Sequence, residues 1–116
     1  MRRMLIVAGA AFGVMATLIS VRAEDRSKEN YLTRCASCHG AEGRGDGPST
    51  SWLRTKPTDF RNCDDMKKLS DDTIFTAVKY GTGMIDLPAD MPGFFDRLSD
   101  REINSLVSYV RSFCRK

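Results

Sequence analysis

Apolar and polar positions divide this chain into segments of different character. Leu5 to Val21 is an apolar run without a charge. Glu24 to Asn30 is polar, and from Ser27 to Cys38 the spacing predicts a first helix, with Tyr31 four residues before Cys35 and so on the same face. Gly40, Gly43, Gly45, Gly47 and Pro48 make the next stretch a loop. Ser49 to Asn62 has no clean period and reads as irregular chain around Trp52, Pro57 and Phe60. Two segments then open alike, Leu69-Ser70-Asp71-Asp72-Thr73-Ile74 and Leu98-Ser99-Asp100-Arg101-Glu102-Ile103. In each, serine suits the helix cap and aspartate the first turn. An apolar residue stands before the cap and another four places into the helix, the staple spacing. Ser99 and Glu102 add a capping box. The first of these helices ends at Gly81. The second continues to the C-terminus with Ile103, Leu106, Val107, Val110, Phe113 and Cys114 on one stripe, so one face is buried. Between them Gly81 to Phe95 is kept out of helix by Gly81, Gly83, Pro88, Pro92 and Gly93.

The N-terminal run changes how charge is read. Arg2 and Arg3 precede it, and Val21-Arg22-Ala23 places short side chains where a signal peptidase reads them, so residues 1–23 are expected to be a signal peptide cut after Ala23. The alternative is an uncleaved membrane anchor, for which the run is at the short edge. The chain carries 18 Lys+Arg against 15 Asp+Glu. Losing Arg2, Arg3 and Arg22 leaves 24–116 formally neutral, which removes the charge argument for nucleic acid or for an anionic membrane. One domain over 24–116 is expected, with a core too small to be robust alone.

The chemistry is concentrated in Cys35-Ala36-Ser37-Cys38-His39. Two thiols about one helical turn apart can add to the two vinyl groups of one haem, and the imidazole that follows can bind the iron from one side. The spacing is that of a c-type haem attachment site. His39 is the one histidine of the chain. A zinc site would have to recruit Cys63 and Cys114, with no second histidine. A dithiol redox pair would call for a strand-rich setting that the pattern lacks. Across the chain, the Gly/Pro-stiffened loop holds Met84 and Met91, and a thioether there suits the iron's open side.

With Tyr31 before the first cysteine, the Cys35–His39 motif, the glycine loop ending in Pro48, the Met91-Pro92 pair, and Leu106 and Tyr109 on the last helix, 24–116 resembles the mono-haem class I cytochromes c. The resemblance implies an all-α cytochrome c fold, three or more helices wrapped around one covalently bound haem c, with the first and last helices crossing. It implies that Cys35 and Cys38 hold the porphyrin and that His39 and Met91 ligate the iron, Met84 being the rival. It also implies that the Pro48 carbonyl receives the second ring nitrogen of His39. Where the family usually has glycine at the helix crossing, this chain has Ser27.

A His/Met iron has no open position, so the expected function is one-electron transfer in the periplasm, with transient redox donor and acceptor proteins and membrane contact only through partner complexes. Two other readings stay open: a haem-carrying subunit of a dehydrogenase or reductase, and a haem enzyme or ligand sensor if the methionine is absent or labile. Cys63 and Cys114 remain as a possible bridge or as two buried thiols.

Overall fold

The structure is a computed structural model that describes residues 26–85 and 90–115. The expected signal peptide, its cut after Ala23, and residues 86–89 of the methionine loop lie outside them.

The chain is helical over 26–34, here α1, and again over Ala36–His39, α2. The single helix expected up to Cys38 is therefore broken at Cys35. The break is shallow: Cys35 N–H still donates to the Tyr31 carbonyl at 2.8 Å, and His39 N–H to the Cys35 carbonyl at 2.9 Å. The glycine loop leads into a 3₁₀ turn at Pro48–Trp52, with proline at its first position where a missing N–H costs nothing. Irregular chain follows to Asn62. A short helix, α3 (Cys63–Met66), then follows. Its cause is Asn62, whose side chain accepts from the N–H groups of Asp64 and Asp65.

Both expected serine caps form. Ser70 accepts from Thr73 N–H to open α4 (Asp71–Tyr80), and Ser99 and Glu102 close a full capping box on α5 (Asp100–Ser112). Ile103, Leu106, Val107 and Val110 are buried along α5, as the stripe requires, and α5 packs on α4, which buries Ile74 and Val78. A second 3₁₀ turn, Thr82–Met84, follows α4.

Tyr31 is the joint between α1 and α5. Its ring lies 5.2 Å from both Tyr109 and Phe113, it is fully buried, and its hydroxyl donates to the Gly40 carbonyl at 2.7 Å. Ser27, one turn earlier, is buried too, so a hydroxymethyl group fits where the resembled family uses glycine. Phe60 joins this core, whereas Trp52 is 87% exposed and is no part of it. Trp52 is the last residue of the first 3₁₀ turn.

Two latches fix the far end of α5. Cys63 and Cys114 are disulfide-bonded, with Cα atoms 5.2 Å apart, which decides between bridge and free thiols. Arg111 reaches from α5 to the Met66 carbonyl at 2.7 Å, to the Leu69 carbonyl, and to Asp71 at 2.8 Å. Two of these partners are backbone carbonyls near the end of α3, which one planar fork of donors can satisfy together. Among the described residues there is no strand, only a single bridge between Gly81 and Pro92, and no helix long and apolar enough to cross a membrane.

Candidate functional site

The attachment motif occupies one short helix and its entry. Cys35 is the N-cap of α2, and Cys38 and His39 close it. The glycine loop doubles back over this helix: Gly45 N–H donates to the His39 carbonyl at 2.8 Å and Gly47 N–H to the Cys38 carbonyl at 3.1 Å. Those bonds satisfy carbonyls that a four-residue helix cannot bond internally. They demand a very close approach. A Cβ on Gly47 would lie 2.3 Å from the Ser37 carbonyl oxygen and 2.5 Å from that of Ala36. The φ of Gly47 is an ordinary −60°, so the demand is for space and not for an unusual backbone. Gly47→Ala is therefore expected to push the loop off α2, to cost about 1–3 kcal/mol as overpacking does, and to lower haem incorporation. Thermal unfolding and the yield of haem-stained protein on a denaturing gel check it.

The two thiols are half-buried and unpaired, in contrast to the bridged Cys63 and Cys114. Burial pushes the Cys35 thiol up to about 11, against the opposing pull of the Arg34 guanidinium. At neutral pH it is a protonated thiol. Burial lowers His39 to about 4, so its imidazole is neutral, the form that binds a metal. The ring stacks on Phe60 with centroids 4.7 Å apart and planes at 18°, and Phe60 stacks in turn on Phe113. Nothing in the spacing of His39 and Phe60 signals this contact. It arises because Phe60 N–H bonds to the Gly43 carbonyl at 2.8 Å, carrying the ring under the loop.

His39 Nδ1 is buried and has no hydrogen-bond partner. The expected donation to the Pro48 carbonyl is thus not formed here. Pro48 is instead the first residue of the 3₁₀ turn that packs against α2.

The two methionines differ sharply. Met91 is half-buried and packs against the core, and its carbonyl accepts from Thr82 N–H at 3.2 Å. Met84 lies on the second 3₁₀ turn, 74% exposed.

These residues fit a c-type haem. Cys35 and Cys38, free of disulfide bonding, and the neutral imidazole of His39 could hold the group, and the half-buried Met91 offers a thioether. Nδ1 is the shut-in nitrogen, so Nε2 would be the one available to a metal. The zinc alternative fails on geometry: among the described residues no group of three or more His, Cys, Asp or Glu side chains converges, and Cys63 and Cys114 are used up by each other. The dithiol setting fails because the surroundings are helical.

Residues 22–110 match the family described as cytochrome c oxidase, cbb3-type, subunit III. The chain belongs to this family. It is thus a small c-type cytochrome with an all-α cytochrome fold. Its fold is also similar to that of the solved c-type cytochrome KustC0563, with a TM-score of 0.62 and 26% identity over 75% of this chain and 95% of that one. No curated protein matches. Membership carries haem-based electron transfer in general, a covalently bound haem, and redox proteins as partners. C-type cytochromes are usually exported, which agrees with a disulfide in this chain.

Proposed function

We propose that this cytochrome is an exported one-electron carrier holding a single haem c. Cys35 and Cys38 would form the thioether links to the haem, and His39 and Met91 would hold its iron. Residues 1–23 direct export, and 24–116 form the working domain in the periplasm. The observation that carries this reading is the contrast between a core-packed Met91 and an exposed Met84. A thioether packed against the core has a fixed place from which it would hold the iron, and a ligand there would remove the vacancy that oxygen chemistry needs.

The haem supplies a one-electron iron couple when bound. The protein's own residues do the rest. Cys35 and Cys38 would hold the porphyrin, the Phe60 stack orients the imidazole of His39, and the sulfur of Met91 would favour the reduced iron and raise the potential. With His39 and Met91 both holding the iron, no coordination position would remain for a substrate, so the reading is a carrier and not an enzyme. Donor and acceptor proteins meet it through small, transient contacts.

A second reading is a fixed subunit of a respiratory complex. The family's description as an oxidase subunit favours it, and so do the exposed Met84 and Phe95, which offer apolar surface.

The test is the spectrum of the haem-loaded wild type. The oxidised protein should show the far-red sulfur-to-iron band, and the reduced protein should bind carbon monoxide only slowly. Absence of the band together with fast carbon monoxide binding would replace the carrier with a ligand sensor or haem enzyme.

A further inference from the structure

We propose that Asp90 is a positioning residue for the iron's thioether ligand, strapping the backbone beside Met91 to Arg54. The inference rests on Met91 as the axial ligand.

After Met91 the chain is held by the end of α4. Thr82 N–H donates to the Met91 carbonyl, Pro92 bridges to Gly81, and Phe94 N–H donates to the Val78 carbonyl at 2.9 Å. Gly93 lies flush on α4, where a Cβ would come 2.6 Å from the carbonyl carbon of Tyr80. Every one of these holds acts at Met91 or C-terminal to it, and all lead to one place.

Before Met91 the hold comes from elsewhere in the fold. One oxygen of the Asp90 carboxylate accepts from the backbone N–H of Arg54 at 3.1 Å, and the other accepts from Arg54 Nε at 3.0 Å. The contact spans 36 residues and joins the chain after the first 3₁₀ turn to the methionine segment. The carboxylate side chain is 19% exposed, whereas that of Arg54 is 76% exposed. An exposed ion pair contributes little by itself. Here, however, the charge is sheltered and half of its hold is a main-chain donor, which cannot swing away as a side chain can. Hydrogen bonds to a charged acceptor are the stronger kind.

The consequence is for the ligand. Methionine is a flexible side chain, and it reaches a fixed point reliably only when its own backbone is fixed. With anchors on both sides, Met91 is pre-organised to stay on the iron. Release of the Asp90 anchor raises the fraction of molecules whose thioether is detached. Carbon monoxide binds reduced iron only in that fraction, so its binding rate reads the fraction directly.

The experiment compares haem-loaded, full-chain protein as wild type, Asp90→Ala, Asp90→Asn, Arg54→Ala, Arg54→Lys and Asp64→Ala. Each is scored by carbon monoxide binding rate, the far-red band and reduction potential. Asp90→Ala should raise the rate about tenfold, weaken the band and lower the potential, the size of a lost charged hydrogen bond. Arg54→Ala keeps the backbone donor and should raise the rate about threefold, as expected of an exposed partner. That smaller effect should shrink in high salt, because the guanidinium's share is screened already in the wild type. Arg54→Lys should restore part of the loss. Asp64→Ala breaks an exposed pair with Lys67 inside α3 and should change nothing.

If Asp90→Ala loads haem poorly, Asp90→Asn and Arg54→Ala, which keep an acceptor or the main-chain donor, carry the comparison. A wild type with the band, but with Asp90 and Arg54 variants indistinguishable from Asp64→Ala, overturns the strap and leaves the axial assignment standing. A wild type without the band overturns the axial assignment, and the strap falls with it.

Discussion

Met91→Ala is expected to abolish the far-red band of the oxidised protein and to open the iron to carbon monoxide on mixing. The potential should drop by on the order of 0.1–0.3 V, a part of the roughly 0.8 V over which axial ligands tune haem iron. The alanine cannot reach the iron, and a water or backbone group that takes the place lacks the soft sulfur that favours ferrous iron. Because Met91 also packs against the core, the change should cost about 2 kcal/mol, the low end for a methionine truncation since the side chain is only half-buried. The matching Met84→Ala variant should leave band, potential and carbon monoxide binding unchanged, since that side chain is exposed. If the two variants behave the other way round, Met84 is the ligand and the Asp90 strap loses its purpose. Spectroscopy and redox titration of the pair decide it.

Replacing both Cys63 and Cys114 with alanine is expected to lower stability by roughly 4 kcal/mol in the chain-entropy account for a loop of this size. In a domain of about this size that corresponds to a fall in Tm of roughly 15–30 °C. The fold should nevertheless persist at room temperature. Arg111 still ties α5 to the Met66 and Leu69 carbonyls and to Asp71, and the covalent haem holds α1 and α2. The two latches share one job, so their loss should not be additive. Arg111→Ala in the bridged protein should cost less than the same change in the bridge-free one. Thermal unfolding of the four proteins measures the coupling, and strict additivity would show that the latches act independently. The haem spectrum should be unaffected by either change, since neither latch touches α2 or the methionine segment.

Such a layered end to the molecule suits a chain whose core is small. Tyr31, Met66, Ile103 and Leu106 are its fully buried large side chains, and the haem is expected to supply the remaining apolar mass. The aromatic stack of Phe60, Phe113, Tyr31 and Tyr109 runs from His39 to the end of α5. It links the His39 imidazole to the helix that both latches secure.

The candidate haem site was legible as a motif because its signal is local. Cys35, Cys38 and His39 carry their meaning in five consecutive positions. The α4 and α5 starts were legible for the same reason: Ser70 and Ser99 bond to N–H groups three residues on, and the α5 stripe follows from helical period alone. Tertiary structure decided what depends on distant partners. It left Met91 half-buried against the core and Met84 exposed, a difference in packing that the Met91-Pro92 pair does not state. It joined Cys63 to Cys114 and Asp90 to Arg54 across long stretches of chain, and it slid Phe60 against His39 while leaving Trp52 in solvent. It broke the first helix at Cys35 and built α3 on the Asn62 cap. It also left His39 Nδ1 without the Pro48 carbonyl. A motif is written in neighbouring residues, whereas burial and pairing are settled only when the whole chain has closed on its core.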